Sequence, residues 1–248
     1  IANCLVGSEM CIRDSNLDGD TIDLEQAFAS YDLGNGVTVS GGKFLNLLGF
    51  ESDEPTGRYQ SSYAYSFDSA AATAGETGRR YAEGIRASFG VEDVAIAVSG
   101  YNGLYSNAAA DMDLAYDAQV VFSGVENLTV ALGYAEDDNS ASIAEAVNVW
   151  ASYESGQVMV AGEYNDVTDG AGNEGDSYLL LANYQINDNA SISVRYSELE
   201  ITGTTLEKFS VSPIYNFTDN LSAFVEYSTG EVNGEDNDSF SIETVFTF

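Results

Sequence analysis

Short turns rich in Asn, Asp and Gly divide this chain of 248 residues, and their spacing constrains its fold more than any other feature. They separate about thirteen strand-sized segments from Asp20 onward. The tight turns fall at 34–36, 92–93, 126–127, 154–157, 187–189 and 218–220, and longer polar connections fall at 50–78, 106–111, 135–145, 166–176, 198–207 and 229–237. Asn, Asp and Gly adopt the conformations that tight hairpins require. The alternation of short and long connections predicts antiparallel up-and-down strands.

The strand-sized segments have one apolar and one polar face. Apolar Leu114, Tyr116, Ala118, Val120 and Phe122 alternate with polar Asp117, Gln119 and Ser123. The same alternation recurs in 190–197, 208–217 and 238–248. An apolar face toward lipid and a polar face toward water is the pattern of a transmembrane β-barrel. A half-buried strand of a soluble sandwich shows the same alternation, and a soluble barrel would reverse its direction.

The last eleven residues, 238–248, read D-S-F-S-I-E-T-V-F-T-F and resemble the closing strand of a bacterial outer-membrane β-barrel. The resemblance implies recognition of this strand by the barrel-assembly machinery. Aromatic residues also cluster near strand ends, as in the girdles that contact outer-membrane lipids. The girdle residues predicted at the tight-turn side are Phe89, Phe122, Tyr153, Phe217 and Phe248, and those at the loop side are Tyr134, Tyr164, Tyr196 and Tyr227. The preference of Tyr and Phe for strands is the alternative explanation.

Charge and composition exclude several classes of function. Asp and Glu number 40 against 8 Lys and Arg, a formal net charge of −32, which argues against nucleic-acid binding. No apolar run approaches the roughly 18 residues of a membrane helix. The chain has no His, no phosphate-binding loop and no recognisable nucleophile motif, so we predict no enzymatic activity. The acidic balance fits a pore that favours cations or a salt-adapted acidic surface.

The first fifteen residues differ from the rest of the chain. Residues 4–15 resemble a translated sequencing adapter, contain both cysteines and lack strand alternation. We therefore predict that 1–15 is a non-native segment and that 16–248 is a barrel domain whose N-terminal part is missing. A bacterial single-chain barrel has an even number of strands. Thirteen visible strands then predict 14 or 16 in the intact barrel.

One motif near this boundary has the spacing of a calcium-binding loop. Oxygen-bearing residues at alternating positions followed by a Glu are what Ca²⁺ requires. The candidate ligands are Asp14, Asn16, Asp18, Asp20 and Glu25. No flanking helices are readable, so the pattern is a weak candidate. No cofactor is expected beyond Ca²⁺ or Mg²⁺ ions at acidic loops. The alternative function is an acidic surface-layer or adhesin-type β protein with calcium-binding loops.

A second resemblance is carried by the residues around the longest connection. They are G-G-K-F-L-N-L-L-G-F-E at 41–51, Pro55, S-Y-A-Y-S-F at 62–67 and G-I-R-A-S at 84–88. These residues are similar to the OmpL-like β-barrel porin-2 family. The resemblance implies an outer-membrane porin that passes small hydrophilic solutes by passive diffusion, and it implies a homotrimer. Its tight turns would lie in the periplasm and its long loops outside the cell.

The pore chemistry is expected to centre on the connection 50–78. A loop of this length is usually functional or disordered. We predict that part of it folds into the lumen opposite basic residues of the wall, creating a transverse field that favours cations. The predicted lining and constriction residues are Glu51, Asp53, Glu54, Arg58, Arg79, Arg80, Arg86, Asp117, Arg195 and Lys208. The orientation of Lys43 stays open, because Gly41-Gly42 would shift the register if it formed a bulge. A barrel plugged by its loops and acting only as an anchor is a further alternative.

Overall fold

The chain forms one antiparallel sheet. The structure, a computed structural model, describes residues 9–18, 21–53, 55–65, 80–105, 114–201 and 203–247. Its strands are β1 (Glu9–Asp18), β2 (Thr21–Gly34), β3 (Val37–Leu45), β4 (Tyr81–Val91), β5 (Val94–Tyr101), β6 (Ala115–Val125), β7 (Leu128–Glu136), β8 (Glu145–Ser155), β9 (Val158–Thr168), β10 (Glu174–Asn187), β11 (Ala190–Ile201), β12 (Thr204–Thr218), β13 (Leu221–Val232), β14 (Glu235–Asp236) and β15 (Ser239–Phe246). A 3₁₀ turn covers Pro55–Gly57.

Every strand pairs with its sequence neighbour, which is the topology of an up-and-down sheet. The order runs from β1 to β13, and both β14 and β15 then pair with β13. These two short strands are therefore segments of one closing strand, interrupted at Asn237 and Asp238. Counted this way, the sheet has the fourteen antiparallel strands of the predicted all-β fold. Within the ranges given above, no helix is long and apolar enough to cross a bilayer.

The six predicted tight turns are confirmed. Each joins two strands, and positive φ angles occur at Asn35 (56°) and Asn127 (67°), where Asn tolerates the left-handed region. Two connections predicted as long loops are instead short. β11 reaches Ile201 before β12 starts at Thr204, and β13 turns at Asn233-Gly234. The strand residues within 198–207 were missed because their apolar side chains face inward. Leu199 and Leu206 are buried, which reverses the alternation expected of a lipid-facing strand.

The apolar face of the sheet is exposed, as the sequence predicted. Tyr116 is 39%, Val194 37% and Phe246 65% exposed, whereas their strand neighbours Asp117 and Arg195 are buried. The predicted aromatics of the tight-turn side also face outward: Phe89, Phe122, Tyr153 and Phe217 are 39–58% exposed. Phe248 lies outside the described residues. The outward face thus presents apolar side chains over strands from both halves of the sheet.

The inward face changes character along its height. Near the loop side it carries a packed apolar cluster that includes Phe44, Leu48, Tyr101, Ile143 and Leu199. Closer to the middle it carries buried polar and charged groups. These include Asp117, Asn148, Glu163, Asn165, Ser193, Arg195, Ser210 and Glu226. A buried polar group must be hydrogen-bonded to avoid a desolvation cost of about 1–3 kcal/mol, so these residues require partners inside the sheet.

The N-terminal strand includes part of the segment set aside from the sequence. β1 pairs with β2 from Glu9↔Ser30 to Asp18↔Thr21, with a local shift of register at Asp14. Residues 9–15, predicted to be non-native, therefore supply most of β1, the strand that brings the count to fourteen. That these residues are non-native stays a prediction. The candidate calcium loop falls on this hairpin, with Glu25 in β2. Its remaining candidate ligands lie outside the residues or side chains that the structure describes.

A charge placed on the outward face should destabilise the folded protein in lipid. Val98 on β5 is 50% exposed and outward, while its neighbour Ala97 faces inward and lines a cavity. We expect Val98→Lys to lower the free energy of unfolding in lipid vesicles by about 2–4 kcal/mol, because a Lys at the bilayer midplane loses hydration. Ala97→Lys should cost much less. Urea titrations of both variants check this, and equal losses would contradict the assignment of faces.

Candidate channel interior

Residues 46–53 and 55–65, which we call the inner segment, leave the sheet after β3 and cross its inward face. Its first residues are fixed to β4–β6. The Leu47 N–H donates to Asp117 Oδ2 at 2.8 Å, and Gln119 Nε2 donates to the Leu47 carbonyl at 2.7 Å. Arg86 Nη2 donates to the Leu45 carbonyl at 2.6 Å, and the guanidinium carbon of Arg86 lies 4.3 Å from the centre of the Phe44 ring. The predicted pore residues Arg86 and Asp117 thus hold the start of the inner segment.

The next contact of the inner segment is with β8 and β9. The Gly49 N–H donates to Asn148 Oδ1 at 3.3 Å. The amide nitrogen of Asn148 donates in turn to Glu163 and Asn165, at 2.6 Å each. The Phe50 ring packs against Trp150 of β8 with centroids 5.5 Å apart. A carboxylate and two amides therefore form a buried polar group under the segment.

Arg195 of β11 is the centre of the largest ion group of the described interior. Its side chain is fully buried and donates through Nη1 to Glu51 of the inner segment. Glu226 of β13 lies 3.9 Å from Arg195 Nη2. Ser62 connects Arg195 with Glu226, because the Ser62 carbonyl accepts a hydrogen bond from Arg195 at 2.8 Å and the Ser62 N–H donates to Glu226 at 2.8 Å. Both carboxylates are therefore compensated by charge and hydrogen bonds.

Lys208 of β12 lies beside this ion group and holds the end of the inner segment. Its Nζ donates to the Tyr63 carbonyl and lies 4.4 Å from the centre of the Tyr65 ring. The Tyr65 N–H donates to Ser197 Oγ of β11 at 2.8 Å. A cation–π contact and two hydrogen bonds thus fix residues 63–65 against the wall.

The middle of the inner segment reaches the closing strand. Arg58 Nη2 donates to Glu243 Oε1 of β15 at 2.8 Å. Ser210 of β12 donates to Gln60, which is itself buried. The segment is hydrogen-bonded to β6 near its start and to β15 near its middle. The described sheet therefore curves around it.

The predicted site residues divide into three groups. Glu51, Arg58, Arg86, Asp117, Arg195 and Lys208 lie in the interior network described above. Asp53 accepts a hydrogen bond from Tyr81 of β4, and the Arg80 carbonyl accepts from the Asn46 N–H at 2.9 Å. Glu54 and Arg79 lie outside the described residues. Lys43 lies on the outward face, since the register is continuous through Gly41 and Gly42.

The interior differs in one respect from the predicted transverse field. Acidic and basic residues of such a field face one another across open space, but here Glu51 is bonded directly to Arg195. Sequence reasoning also missed Glu226, Glu243 and Asn148. The signal was present, because Glu226 lies between Val225 and the outward Tyr227 and therefore faces inward. It was overlooked because forty acidic residues make any single one uninformative.

A polar cavity of about 610 Å³ lies below the inner segment at the tight-turn end. Its walls are the inward faces of β10–β13, the end of the closing strand, and Thr56, Arg58 and Tyr59 of the segment. A smaller cavity of about 300 Å³ is lined by residues of β3–β6. The inner segment therefore leaves water-accessible space near the tight turns.

The acidic loops show no metal-binding arrangement within the described ranges, where no group of three or more His, Cys, Asp or Glu side chains is placed to hold an ion. In the loop after β9, Asp169 is satisfied by amides of its own loop. It accepts 2.9 Å bonds from the Ala171 and Asn173 N–H groups and a 2.7 Å bond from Asn173 Nδ2. These bonds to the charged form lower the pKa of Asp169 from its usual value.

Comparisons with solved structures show a shared fold. The chain is similar to an anion-selective porin from Comamonas acidovorans, with 12% identity and a TM-score of 0.67, covering 98% of this chain and 83% of that one. It is also similar to OmpF from Salmonella typhi in complex with daunomycin, with 12% identity and a TM-score of 0.64 over 91% and 79% of the two chains. At these identities the likeness establishes the outer-membrane β-barrel fold.

A third similar structure is a triple mutant of the Rhodopseudomonas blastica porin, with 18% identity and a TM-score of 0.61 over 97% and 83% of the two chains. No protein-family model and no curated protein matches this chain. The predicted all-β barrel is confirmed at the level of fold, and the finer OmpL-like resemblance stays a prediction.

The ion pair between Glu51 and Arg195 should contribute more to stability than the pair between Arg58 and Glu243. Arg195 is completely buried, whereas Glu243 is 32% exposed. We expect Glu51→Gln to lower the free energy of unfolding by about 3 kcal/mol, because a buried guanidinium loses a charged partner. Glu243→Gln should cost less than about 1 kcal/mol, because its pair is partly solvated. Denaturant titrations in vesicles measure both, and a larger loss for Glu243→Gln would contradict this ranking.

Proposed function

We propose that the chain is an outer-membrane porin that allows passive diffusion of small hydrophilic solutes and ions. The observation that carries the proposal is the inner segment, which crosses the inside of a sheet whose apolar face points outward. Hydrocarbon cannot hydrogen-bond a polar lining, so a barrel of this polarity holds water in its centre. The fold shared with porins supports this function, and the OmpL-like resemblance at 41–51 is consistent with it.

The proposed setting follows from the same orientation. The outward face contacts outer-membrane lipids, the closing strand is read by the barrel-assembly machinery, and the tight turns lie in the periplasm. The loops that face the outside hold much of the acid, as in Glu136-Asp137-Asp138. The resemblance to the OmpL-like family also leads us to propose a homotrimer. The excess of acidic residues leads us to propose divalent ions at the acidic loops.

A second candidate function is a structural anchor whose lumen is plugged. The observation that favours it is the apolar cluster at the loop side, where Leu48, Leu104 and Ile143 are buried inside the sheet. Such packing would leave little room for solutes unless the loops move. The two functions differ in one measurable property, which is ion conductance.

The purified protein should insert into planar bilayers and produce discrete conductance steps in KCl. It should also require detergent for solubility and migrate differently on gels before and after boiling, because a closed barrel resists unfolding in detergent. A folded, heat-modifiable protein without conductance would favour the anchor. A protein extracted without detergent that folds only with Ca²⁺ would favour the surface-layer alternative.

The channel should prefer K⁺ over Cl⁻, although a structural neighbour is anion-selective. The chain has a formal net charge of −32, and its excess of acidic side chains attracts cations to the mouths of the pore. The preference should weaken between about 0.1 M and 1 M salt, because the screening length falls from about 10 Å to about 3 Å. Reversal potentials in KCl gradients measure it, and anion selectivity would refute the assignment.

A further inference from the structure

The cavity at the tight-turn end, which we call the amide vestibule, has a lining suited to hydrogen bonding. Its wall carries inward side chains of β10–β13 and of the end of the closing strand, among them Asn183, Gln185, Ser191, Asn216 and Ser222. Its volume of about 610 Å³ lies within the range of about 300–1,000 Å³ that is typical of small-molecule sites. Amides and hydroxyls can both donate and accept hydrogen bonds.

Much of this hydrogen-bonding capacity is not used by the protein. Within the described residues, the side chains of Ser191, Asn216 and Ser222 make no hydrogen bond to other protein groups. Asn183 donates to Ser193 at 2.8 Å, which leaves its carbonyl oxygen as an acceptor. These groups lie on four neighbouring strands, since β10 pairs with β11, β11 with β12 and β12 with β13. A solute in the vestibule therefore meets several donors and acceptors on one wall.

The cations closest to the vestibule are already compensated. Arg58, which lines its upper side, is bonded to Glu243, and the more distant Arg195 is bonded to Glu51. The carboxylates of the lining, Asp188 and Asp219, belong to the tight turns at its rim. An anion that shed its water in the vestibule would find no uncompensated cation among these groups, and a cation would find carboxylates only at the rim, so loss of hydration in the interior is costly for either.

The Tyr59 ring completes the lining from the side of the inner segment. An aromatic ring offers an apolar surface, and sugar rings expose C–H groups beside their hydroxyls, so amides opposite an aromatic ring suit both parts of a sugar. Charge compensation, unused amides and this ring all favour the same chemical class of solute.

We propose that the amide vestibule is a binding subsite for uncharged polyhydroxylated solutes, such as short neutral oligosaccharides. The inference rests on the proposed porin function and deepens it, because it assigns a preferred solute to a channel that would otherwise discriminate only by size and charge. The solute exchanges hydrogen bonds to water for bonds to Asn183, Asn216 and their neighbours. It then continues through the pore.

The test uses maltotriose as a neutral probe on the full chain in planar bilayers. Maltotriose should lower the KCl conductance in a saturable manner, whereas trisaccharides of uronic acids or amino sugars should do so more weakly. The double variant Asn183→Ala/Asn216→Ala should raise the half-blocking concentration about tenfold, as expected for the loss of two neutral hydrogen bonds.

The matched control is Thr38→Ala/Ser88→Ala, because these residues line the smaller cavity between β3 and β6. It should leave the half-blocking concentration within about twofold of the original protein. Equal shifts in both double variants, or stronger block by a charged trisaccharide, would overturn the proposal.

The two proposals fail in different ways. Absence of KCl conductance would refute the porin function, whereas a conducting channel that maltotriose leaves unchanged would refute only the subsite. Calorimetric titration of maltotriose into the folded protein in detergent tests the subsite independently of conductance. Absence of binding there would overturn it, and binding that the Asn183→Ala/Asn216→Ala variant weakens about tenfold would support it.

Discussion

Successive side chains of a strand point to opposite faces, and every other feature of this protein depends on how the chain uses that period of two. Val194 points outward and Arg195 inward on the same strand. A shift of one residue would place the guanidinium in lipid and the valine among the buried polar groups of the interior. The outward face therefore fixes the register, and the register in turn fixes which polar groups meet inside.

The interior is stabilised by compensation of charge. Burial of an ion is costly unless a partner and hydrogen bonds accompany it. Glu51, Arg195 and Glu226 satisfy this condition together with Ser62, and they attach the inner segment to the wall opposite its starting point. The same compensation removes the field that a row of free cations would have produced. The wall that remains for a solute presents amides and hydroxyls that the protein does not use, which connects the anchoring of the segment with the chemistry of the vestibule.

Sequence reasoning predicted the sheet better than the interior. The tight turns were identified because Asn, Asp and Gly have local conformational preferences, which act whatever the rest of the chain does. The end of β11 and the start of β12 were missed, since Leu199 and Leu206 face an apolar cluster that only folding creates. Arg58 was predicted as a constriction residue of the connection 50–78, but its partner Glu243 is 185 residues away in sequence and has no local signal.

The sequence by itself determined the all-β fold, the positions of the turns and the direction of the apolar face, because each follows from side chains close together along the chain. Only the tertiary structure decided that Glu51 bonds to Arg195 and that the inner segment spans from β6 to the closing strand. It also decided that the unused amides share one cavity. The first two arrangements join residues 144 and 185 positions apart, and the curvature of the sheet sets all of these distances.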